Sequence, residues 1–266
     1  MIIKDQIGRK ITITSTPRRI VCLVPSLTEL LVDLGLEDAI VGVTKFCVHP
    51  KNIRKDKIVV GGTKNVHLNK IKQLKPDIIL CNKEENTKEI VTSLEAYFPV
   101  HVSDINTIDE AYECIRQYGE LFDVVESAST LIYGIETEKE EFLVSTENLS
   151  VKNVAYFIWK DPWITVGNQT FIHHIMEMVK LDNIFRDLSR YPEVLLEDVQ
   201  RESDLDAVLL SSEPYPFIER HRKELELFLE NIPVVLVDGE YFSWYGSRLK
   251  DAFRYFKQLR LRLENI

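Results

Sequence analysis

The sequence predicts an α/β protein in which one α/β lobe is followed by a long helix and then by a second α/β lobe. Short apolar runs alternate with segments of helical period, which is typical of parallel sheets covered by helices. This alternation occurs twice, and between the two occurrences lies a stretch, Val124–Val144, with no proline and a single glycine. We place the lobes at residues 1–120 and 151–266 and the connecting helix at residues 121–150.

The first lobe begins with an alternating segment, Ile11–Thr14, that predicts an edge strand. Ile20–Val24 is continuously apolar, as expected of a parallel strand buried on both faces. Ser26 and Glu29 have the spacing of a capping box and predict that a helix begins at Ser26 and ends at Gly35. The remaining predicted elements are strands at Ile40–Val43, Ile58–Val60, Ile78–Cys81 and Val100–Val102, and helices over Leu68–Leu74 and after a second capping box at Thr107 and Glu110.

The connecting segment keeps its apolar residues on one helical face over about 21 residues, or roughly 30 Å. It is either a surface helix or a rigid bridge between the two lobes. The elements predicted after it are strands at Val154–Trp159, Ala207–Leu210 and Val234–Val237, and helices over Phe171–Val179, Pro216–Leu229 and Ser247–Leu263.

The composition excludes several classes of protein. The chain has 266 residues, 33 basic and 42 acidic side chains and a net charge of −9. An acidic surface disfavours nucleic-acid binding, and 45% hydrophobic residues are ample for folded cores. No apolar stretch is long enough to span a membrane, so we expect no membrane insertion. The charged N-terminus predicts no secretory signal, so the protein is either cytoplasmic or processed. The cysteines form no CxxC pair, and we expect buried thiols.

Signatures of enzymes are mostly missing. Gly61–Lys64 resembles a phosphate loop but lacks the spacing of one, and the chain has no GxGxxG, GxSxG or HExxH motif. Of the six histidines, His49 stands out because it follows a predicted strand at the sheet edge where α/β proteins bind ligands. It is either a metal ligand or a polar residue of the loop.

Aromatic residues cluster after strands in both lobes. Phe46 follows a strand of the first lobe, and all three tryptophans follow strands of the second lobe. Aromatics that converge on one sheet edge favour a platform for a large, flat, partly apolar ligand, although core packing explains any one of them equally well. The aromatic candidates are Phe46, Trp159, Trp163, Tyr215, Phe217, Tyr241, Phe242, Trp244 and Tyr245, and the polar candidates beside them are Thr63, Lys64, Asn82, Lys83, Glu84, Glu85 and Asn86.

Three motifs in order resemble the cobalamin- and siderophore-binding proteins of ABC importers, which belong to the helical-backbone metal receptor group. The first motif runs from Arg19 to Leu31 and continues through Gly35–Leu36 and Val41–Val43. The second is Leu74–Leu80, and the third combines Val166–Gly167, Phe171–Ile172 and Asn183–Phe185. The resemblance covers nearly the whole chain.

The resemblance implies two Rossmann-like lobes with parallel sheets, joined by a single long backbone helix, with a ligand cleft between the lobes and no catalysis. Phe46 and His49 stand where the family has tyrosines, and Thr63 and Asn82 replace two tryptophans of the cleft. Trp163 and Phe242 match aromatics of the second lobe, and Trp159 and Trp244 add to them. The expected ligand-binding residues are Ser26, Phe46, His49, Thr63, Lys64, Asn82, Lys83, Glu84, Trp159, Trp163, Tyr215, Phe242 and Trp244.

The resemblance also implies a monomer that captures a small-molecule metal chelate (a corrinoid, haem or ferric siderophore) and delivers it to an ABC permease, with no intrinsic cofactor or bound metal. Glu197 or Asp198 matches the docking carboxylate of the second lobe, whereas Asn69 stands at the matching position of the first. Family members are periplasmic. A second hypothesis is a cytoplasmic protein on the same scaffold, either a chelatase using His49, Glu84 and Glu85 or a ligand sensor.

Overall fold

Two parallel β-sheets with helices in their connections dominate the computed structural model, which describes residues 1–230 and 232–266. This arrangement confirms the predicted α/β class. The chain divides into two compact units. Unit 1 consists of Met1–Ile105, Asp109–Ile135 and Tyr245–Arg248, and unit 2 consists of Asn106–Ile108, Glu136–Trp244 and Leu249–Ile266.

Unit 1 contains a five-stranded sheet whose strands are parallel and lie in the order β5-β4-β3-β6-β7. The central strands β3 and β6 are buried along their whole length, which explains their continuously apolar sequence. The strands are β3 (Ile20–Cys22), β4 (Ile40–Val43), β5 (Ile58–Val59), β6 (Ile78–Asn82) and β7 (Val100–Ser103).

An antiparallel hairpin of β1 (Ile2–Lys4) and β2 (Lys10–Thr12) precedes this sheet. The predicted edge strand at Ile11–Thr14 is therefore one arm of a separate two-stranded sheet. The helices of the first half are α1 (Pro25–Asp33), α2 (Ile53–Asp56), α3 (Leu68–Leu74), α4 (Lys88–Glu95), α5 (Ile108–Leu121) and α6 (Val125–Ser145).

Unit 2 contains a second sheet in which four parallel strands have the order β10-β8-β11-β12, and β9 pairs with β8 in antiparallel orientation. The strands are β8 (Lys152–Trp159), β9 (Ile164–Thr165), β10 (Leu181–Asn183), β11 (Ala207–Ser211) and β12 (Val234–Val237). The helices are α7 (Phe171–Met178), α8 (Leu196–Gln200), α9 (Glu219–Leu229), α10 (Gly239–Ser243) and α11 (Leu249–Leu263).

The long helix α6 agrees closely with the predicted segment, and the division between the units falls within it, after Ile135. At 21 residues it is about 31 Å long, given a rise of ~1.5 Å per residue. The chain changes unit again near its C-terminus, because Tyr245–Arg248 groups with unit 1. This division differs from the predicted boundaries, which assign all of residues 151–266 to one lobe.

The predicted start of α1 is wrong. The helix begins at Pro25, its N-cap is Val24, and no side chain caps it. Proline suits the first helical position because that N–H has no partner within the helix. Ser26 therefore lies within the first turn, and the Glu29 carboxylate bonds to Arg248 instead of closing a capping box.

Candidate functional site

Each sheet has one point at which the order of its strands reverses. In unit 1 this switch point lies between β3 and β6, and in unit 2 it lies between β8 and β11. Open parallel sheets bind ligands outside the carboxyl ends of the strands at such points. The segments that follow these strands are residues 23–26 and 83–87 in unit 1, and residues 160–163 and 212–218 in unit 2.

Asn82, at the end of β6, shapes the loop that follows it. The side chain is 0% exposed, and its Oδ1 accepts hydrogen bonds from the N–H groups of Glu84 (2.8 Å) and Glu85 (3.2 Å). Its Nδ2 donates to the Ser103 hydroxyl at 3.0 Å, and its backbone N–H donates to Asn86 Oδ1 at 2.9 Å. The buried amide is therefore fully used within the protein, and a ligand contact by Asn82 stays a prediction.

The same loop brings Thr63, Lys64 and Glu84 together, as the sequence predicts. Asn86 Nδ2 donates to the Thr63 carbonyl at 2.9 Å, and Lys64 Nζ donates to the Glu84 carbonyl at 2.5 Å. Thr63 is buried, whereas Lys64 is exposed and Glu84 is partly exposed. Burial raises the pKa of the neighbouring Glu85 carboxyl, Lys64 opposes this shift, and Glu84 adds to it. These two segments therefore contribute the Lys64 ammonium and the carboxyl groups of Glu84 and Glu85 to this edge of unit 1.

Phe46 and His49 follow β4 at the same edge of the sheet. The Phe46 ring is 49% exposed, and Lys45 Nζ lies 4.9 Å from its centroid. His49 is partly exposed. Burial raises the pKa of the Glu29 carboxyl, and Arg248 and the nearby His49 oppose this shift. Among residues 1–230 and 232–266, no group of three or more His, Cys, Asp or Glu side chains could hold a metal ion. Both interpretations of His49, as a metal ligand or as a polar residue of the loop, therefore stay open.

The segment Tyr245–Arg248, which we call the strap, completes this edge of unit 1. Arg248 forms a bidentate ion pair with Glu29 at 2.9 and 2.6 Å, and Tyr245 and Ser26 are both buried, each with 7% exposure. Gly246 has a positive φ of 155°, and a Cβ at this position would lie 3.5 Å from the Ser26 carbonyl oxygen and 3.4 Å from Leu30 Cβ. Sequence reasoning missed the strap, because no spacing relates residues 219 positions apart.

Lys83 has different neighbours from Lys64. Its ammonium pairs with Asp104 at 2.5 Å, and it lines a cavity of about 710 Å³ beside the N-terminal hairpin. The walls of this cavity include Gln6, Arg9 and Lys88. The structure therefore does not group Lys83 with the Thr63–Lys64 segment.

At the switch point of unit 2, four aromatic residues form a contiguous cluster, which we call the aromatic cluster: Trp159, Trp163, Tyr215 and Phe217. Trp159 ends β8 and is 39% exposed, and Tyr215 packs edge-on against it with ring centroids 5.5 Å apart. Tyr215 is partly exposed and also contacts Phe217 at 4.7 Å. The structure thus brings Trp159 and Tyr215, two of the predicted aromatic candidates, together.

Trp163 contacts both the aromatic cluster and the core of unit 2. Its ring stacks on Phe217 at 5.9 Å with an interplanar angle of 11°, and it packs edge-on against Phe157 at 5.1 Å. Lys160 Nζ lies 5.9 Å from its centroid, and the same ammonium pairs with Glu224 at 2.7 Å. Because Trp163 is partly buried against the core of unit 2, its removal would disturb that core as well as the surface of the cluster.

His221 lies beneath the aromatic cluster and was not among the predicted site residues. Its ring packs against Tyr215 at 5.3 Å and against Phe217 at 5.7 Å. Its Nδ1 accepts a hydrogen bond from the Ile218 N–H at 3.2 Å. Among the six histidines, the sequence singled out His49 and not His221. The one available signal was that His221 stands three residues after Ile218, the spacing at which a side chain can cap the start of a helix.

Two residues of the predicted ligand-binding set, Phe242 and Trp244, are buried in the core. Phe242 is 0% exposed and packs against Tyr156 and Phe256 with centroid distances of 4.9 and 4.8 Å, so its ring offers no surface to a ligand. Trp244 is mostly buried, and its Nε1 donates to Glu213 Oε1 at 3.0 Å. A run of aromatics after a strand looks the same in sequence whether it faces a ligand or turns into the core.

The predicted docking carboxylates lie on α8. Glu197 and Asp198 are both exposed, and Asp198 forms an ion pair with Arg201 at 2.8 Å. Asn69 is exposed on α3. Within the described parts of the chain, no helix is both long enough and apolar enough to span a bilayer.

Residues 20–235 match the periplasmic binding protein family. The chain belongs to this family. An uncharacterized ABC transporter substrate-binding lipoprotein from Bacillus subtilis (strain 168), YvrC, is 30% identical over 193 residues, which is 70% of this chain and 61% of the relative. A vitamin B12-binding protein from Pectobacterium carotovorum subsp. carotovorum (strain PC1) is 24% identical over 240 residues, 88% of this chain and 84% of the relative.

Solved structures support the same fold. The periplasmic haem-binding protein RhuT from Roseiflexus sp. RS-1 superimposes with a TM-score of 0.78 at 16% identity, covering 93% of this chain and 98% of RhuT. The resemblance inferred from the three motifs is thereby confirmed at the level of family and fold. The family consists of substrate-binding proteins; YvrC is described as a lipoprotein and RhuT as a periplasmic protein.

Proposed function

We propose that this protein is the substrate-binding component of an ABC-type importer and that its ligand is a metal chelate: a corrinoid, a haem or a ferric siderophore. Membership of the periplasmic binding protein family supports a binding role, and the two relatives named for a ligand bind vitamin B12 and haem. The observation that carries the choice of ligand class is the partly exposed aromatic cluster at the switch point of unit 2.

The cluster is suited to a flat, partly apolar ligand. The Trp159 and Tyr215 rings meet edge to face, so together they form a corner of aromatic surface and not a single plane. Beside them, the Lys160 ammonium is held by Glu224 at 2.7 Å. A ligand that combines a wide apolar face with peripheral carboxylates or amides can use both features. Tetrapyrroles, corrinoids and aromatic siderophores have this combination.

The edge of unit 1 has a similar combination of chemical groups. Phe46 is about half exposed, and the Lys45 ammonium lies over its ring. Lys64 is exposed in the segment that follows β5. Aromatic faces with ammonium groups beside them suit apolar ligands that bear negative groups. Both units therefore support the same class of ligand independently.

The test is a titration of the purified protein with cyanocobalamin, haemin and a ferric siderophore, followed by tryptophan fluorescence. All three tryptophans, Trp159, Trp163 and Trp244, belong to unit 2, so quenching reports on the proposed site. Trp159→Ala should weaken binding by about 5- to 150-fold, which corresponds to ~1–3 kcal/mol for a lost aromatic contact.

Trp159 is a sharper target than Trp163, because it is the more exposed of the two and its truncation disturbs the core less. Tyr133→Ala, which removes an exposed aromatic from α6, is the matched control and should bind like wild type. Absence of binding to all three ligands would contradict the proposal, and so would equal affinities of Trp159→Ala and wild type.

We further propose that Glu197 contributes to docking on the permease, outside the cytoplasmic membrane. It is exposed on α8, whereas the neighbouring Asp198 is already paired with Arg201. Glu197→Lys should reduce uptake of the ligand by whole cells while the affinity of the purified protein for ligand is unchanged. Glu202→Lys, an equal charge change at another exposed residue nearby, should transport normally. Normal uptake with Glu197→Lys would rule out this docking role.

A further inference from the structure

His221 occupies a position in which it controls the geometry of the aromatic cluster. It is the third residue of α9 and is only 5% exposed. Its ring is packed between Tyr215, at a centroid distance of 5.3 Å, and Phe217, at 5.7 Å with an interplanar angle of 89°. A change in the charge or position of the imidazole therefore alters its contacts with Tyr215 and Phe217.

The hydrogen bonds around the ring specify a neutral imidazole. Nδ1 accepts from the Ile218 N–H at 3.2 Å, so it carries no proton. A neutral ring then has its proton on Nε2, which lies 3.4 Å from the Tyr215 hydroxyl and can donate to it. Arg220 Nη2, which can only donate, lies 3.3 Å from the same nitrogen.

A charged imidazole is disfavoured at this place for three reasons. A proton on Nδ1 would face the Ile218 N–H and abolish the hydrogen bond that caps α9. A positive charge at the beginning of a helix opposes the helix dipole. Burial lowers the pKa of His221, and the neighbouring charges of Arg220 and Lys160 lower it further, while the carboxylates of Glu224 and Asp161 oppose them.

Tyr215 connects His221 to the exposed part of the cluster. Its ring contacts Trp159 at 5.5 Å, and its backbone N–H donates to the Ile158 carbonyl at 3.2 Å, one residue before the end of β8. The Phe217 N–H in turn donates to the Tyr215 carbonyl at 2.8 Å. Loss of the contact with His221 would free the Tyr215 side chain while its backbone stays attached to the strand.

We infer that His221 is a pH-dependent positioning residue for ligand binding: its neutral imidazole holds Tyr215 against Trp159, and protonation releases Tyr215 and weakens binding of the ligand. This inference rests on the proposed function for its effect on affinity. The coupling between His221 and the cluster does not depend on any ligand. The protein would accordingly hold its ligand near neutral pH and release it more readily in acid.

The first experiment follows tryptophan fluorescence of the ligand-free protein between about pH 4.5 and 7.5, below and around the ordinary pKa of a histidine. Wild type should show a transition within this interval. His221→Asn should not, because the asparagine Oδ1 can keep the bond from Ile218 N–H but cannot be protonated in this range. His101→Asn is the matched control, since His101 is also buried but lies in unit 1, which has no tryptophan, and it should keep the wild-type transition.

The second experiment measures the affinity for cyanocobalamin and haemin over the same interval. Wild type should bind about tenfold more weakly near pH 5 than near pH 7.5, as expected for a coupling of one pKa unit, whereas His221→Asn should show little dependence on pH. Should His221→Asn fail to fold by circular dichroism, His221→Gln replaces it in both experiments with the same expected results.

A wild-type fluorescence transition that persists in the His221 variant, or the absence of any transition in wild type, would overturn the inference. Failure of both ligands to bind at any pH would instead refute the proposed function, and the ligand-free titration would still decide the role of His221. A pH dependence of affinity that is equal in wild type and variant would also overturn it.

Discussion

Asn82→Ala distinguishes a residue that touches the ligand from one that positions a loop. If Asn82 were a ligand contact, its truncation would lower affinity and leave stability unchanged. In the structure its side chain is buried and bonds only to the protein, so we expect the truncation to destabilise unit 1 and to loosen segment 83–87. Any loss of ligand affinity would then follow from the loosened loop.

The expected magnitude comes from the bonds that disappear. Two backbone N–H groups, those of Glu84 and Glu85, lose their acceptor, and two bonds to Ser103 lose their donor. Each bond contributes about 0.5–1.5 kcal/mol net, and the cavity left by alanine admits water that restores part of this. We therefore expect the free energy of unfolding to fall by about 2–4 kcal/mol, a large fraction of the stability of a domain.

Calorimetry and hydrogen exchange are the appropriate assays, because unit 1 contains no tryptophan to report its unfolding. The melting temperature of Asn82→Ala should lie several degrees below that of wild type, and the amides of Glu84 and Glu85 should exchange about tenfold faster, which corresponds to ~1.4 kcal/mol for each lost bond. Lys83→Ala, the neighbouring exposed residue with one surface ion pair, is the control and should change stability by less than about 0.5 kcal/mol. An Asn82→Ala protein with wild-type melting and wild-type exchange would refute this reasoning.

Three further predictions concern stability and reactivity. Thr170→Ala removes the hydroxyl that accepts a hydrogen bond from the His173 N–H at the start of α7. Urea denaturation should show that the free energy of unfolding falls by about 1 kcal/mol, whereas Thr170→Ser should be near wild type. Equal midpoints for all three proteins would disprove the cap. Burial raises the pKa of Glu29, so the folded protein holds this proton more tightly than the unfolded chain does. The stability of wild type relative to Glu29→Gln should therefore decline as pH rises from the ordinary range of a glutamate through the raised value, and an increase over that interval would argue against it. All four cysteines are buried, and burial raises the pKa of the Cys22 thiol to about 12. Iodoacetamide near pH 8 should therefore label the native protein far more slowly than the urea-unfolded chain. A fast-reacting thiol in the native protein would be inconsistent with this burial.

The fold could be predicted because its signals are local. The strands β3, β6 and β11 are buried on both faces, and each is a continuous apolar run bounded by polar or turn residues. Strand β10 was not predicted, because its local sequence signal is weak. It is three residues long and contains Asp182, so neither its length nor its composition exceeds what a loop would show. The strand forms because it can pair with β8, a partner that no local pattern reveals.

The strap and the start of α1 illustrate how tertiary contacts override a local motif. Ser26 and Glu29 have the spacing of a capping box, but Pro25 is a better first helical residue than Ser26, and it shifts the helix start by one position. Glu29 is then free to form the ion pair with Arg248. That arginine comes from the far end of the sequence, so a local motif cannot reveal that it is the partner of Glu29.

The burial of Asn82 and of Phe242 has one physical cause, and it narrows the choice of ligand contacts. A loop that turns back at the end of a buried strand must satisfy its own backbone groups and cover its own apolar surface before it can bind anything. Asn82 meets the first requirement and Phe242 the second, and both are completely buried as a result. Residues available to a ligand must be those that the loops do not need for themselves. By this criterion Phe46 and Trp159 are stronger candidates than any buried residue of the predicted set, because they stay 49% and 39% exposed after making their contacts within the protein.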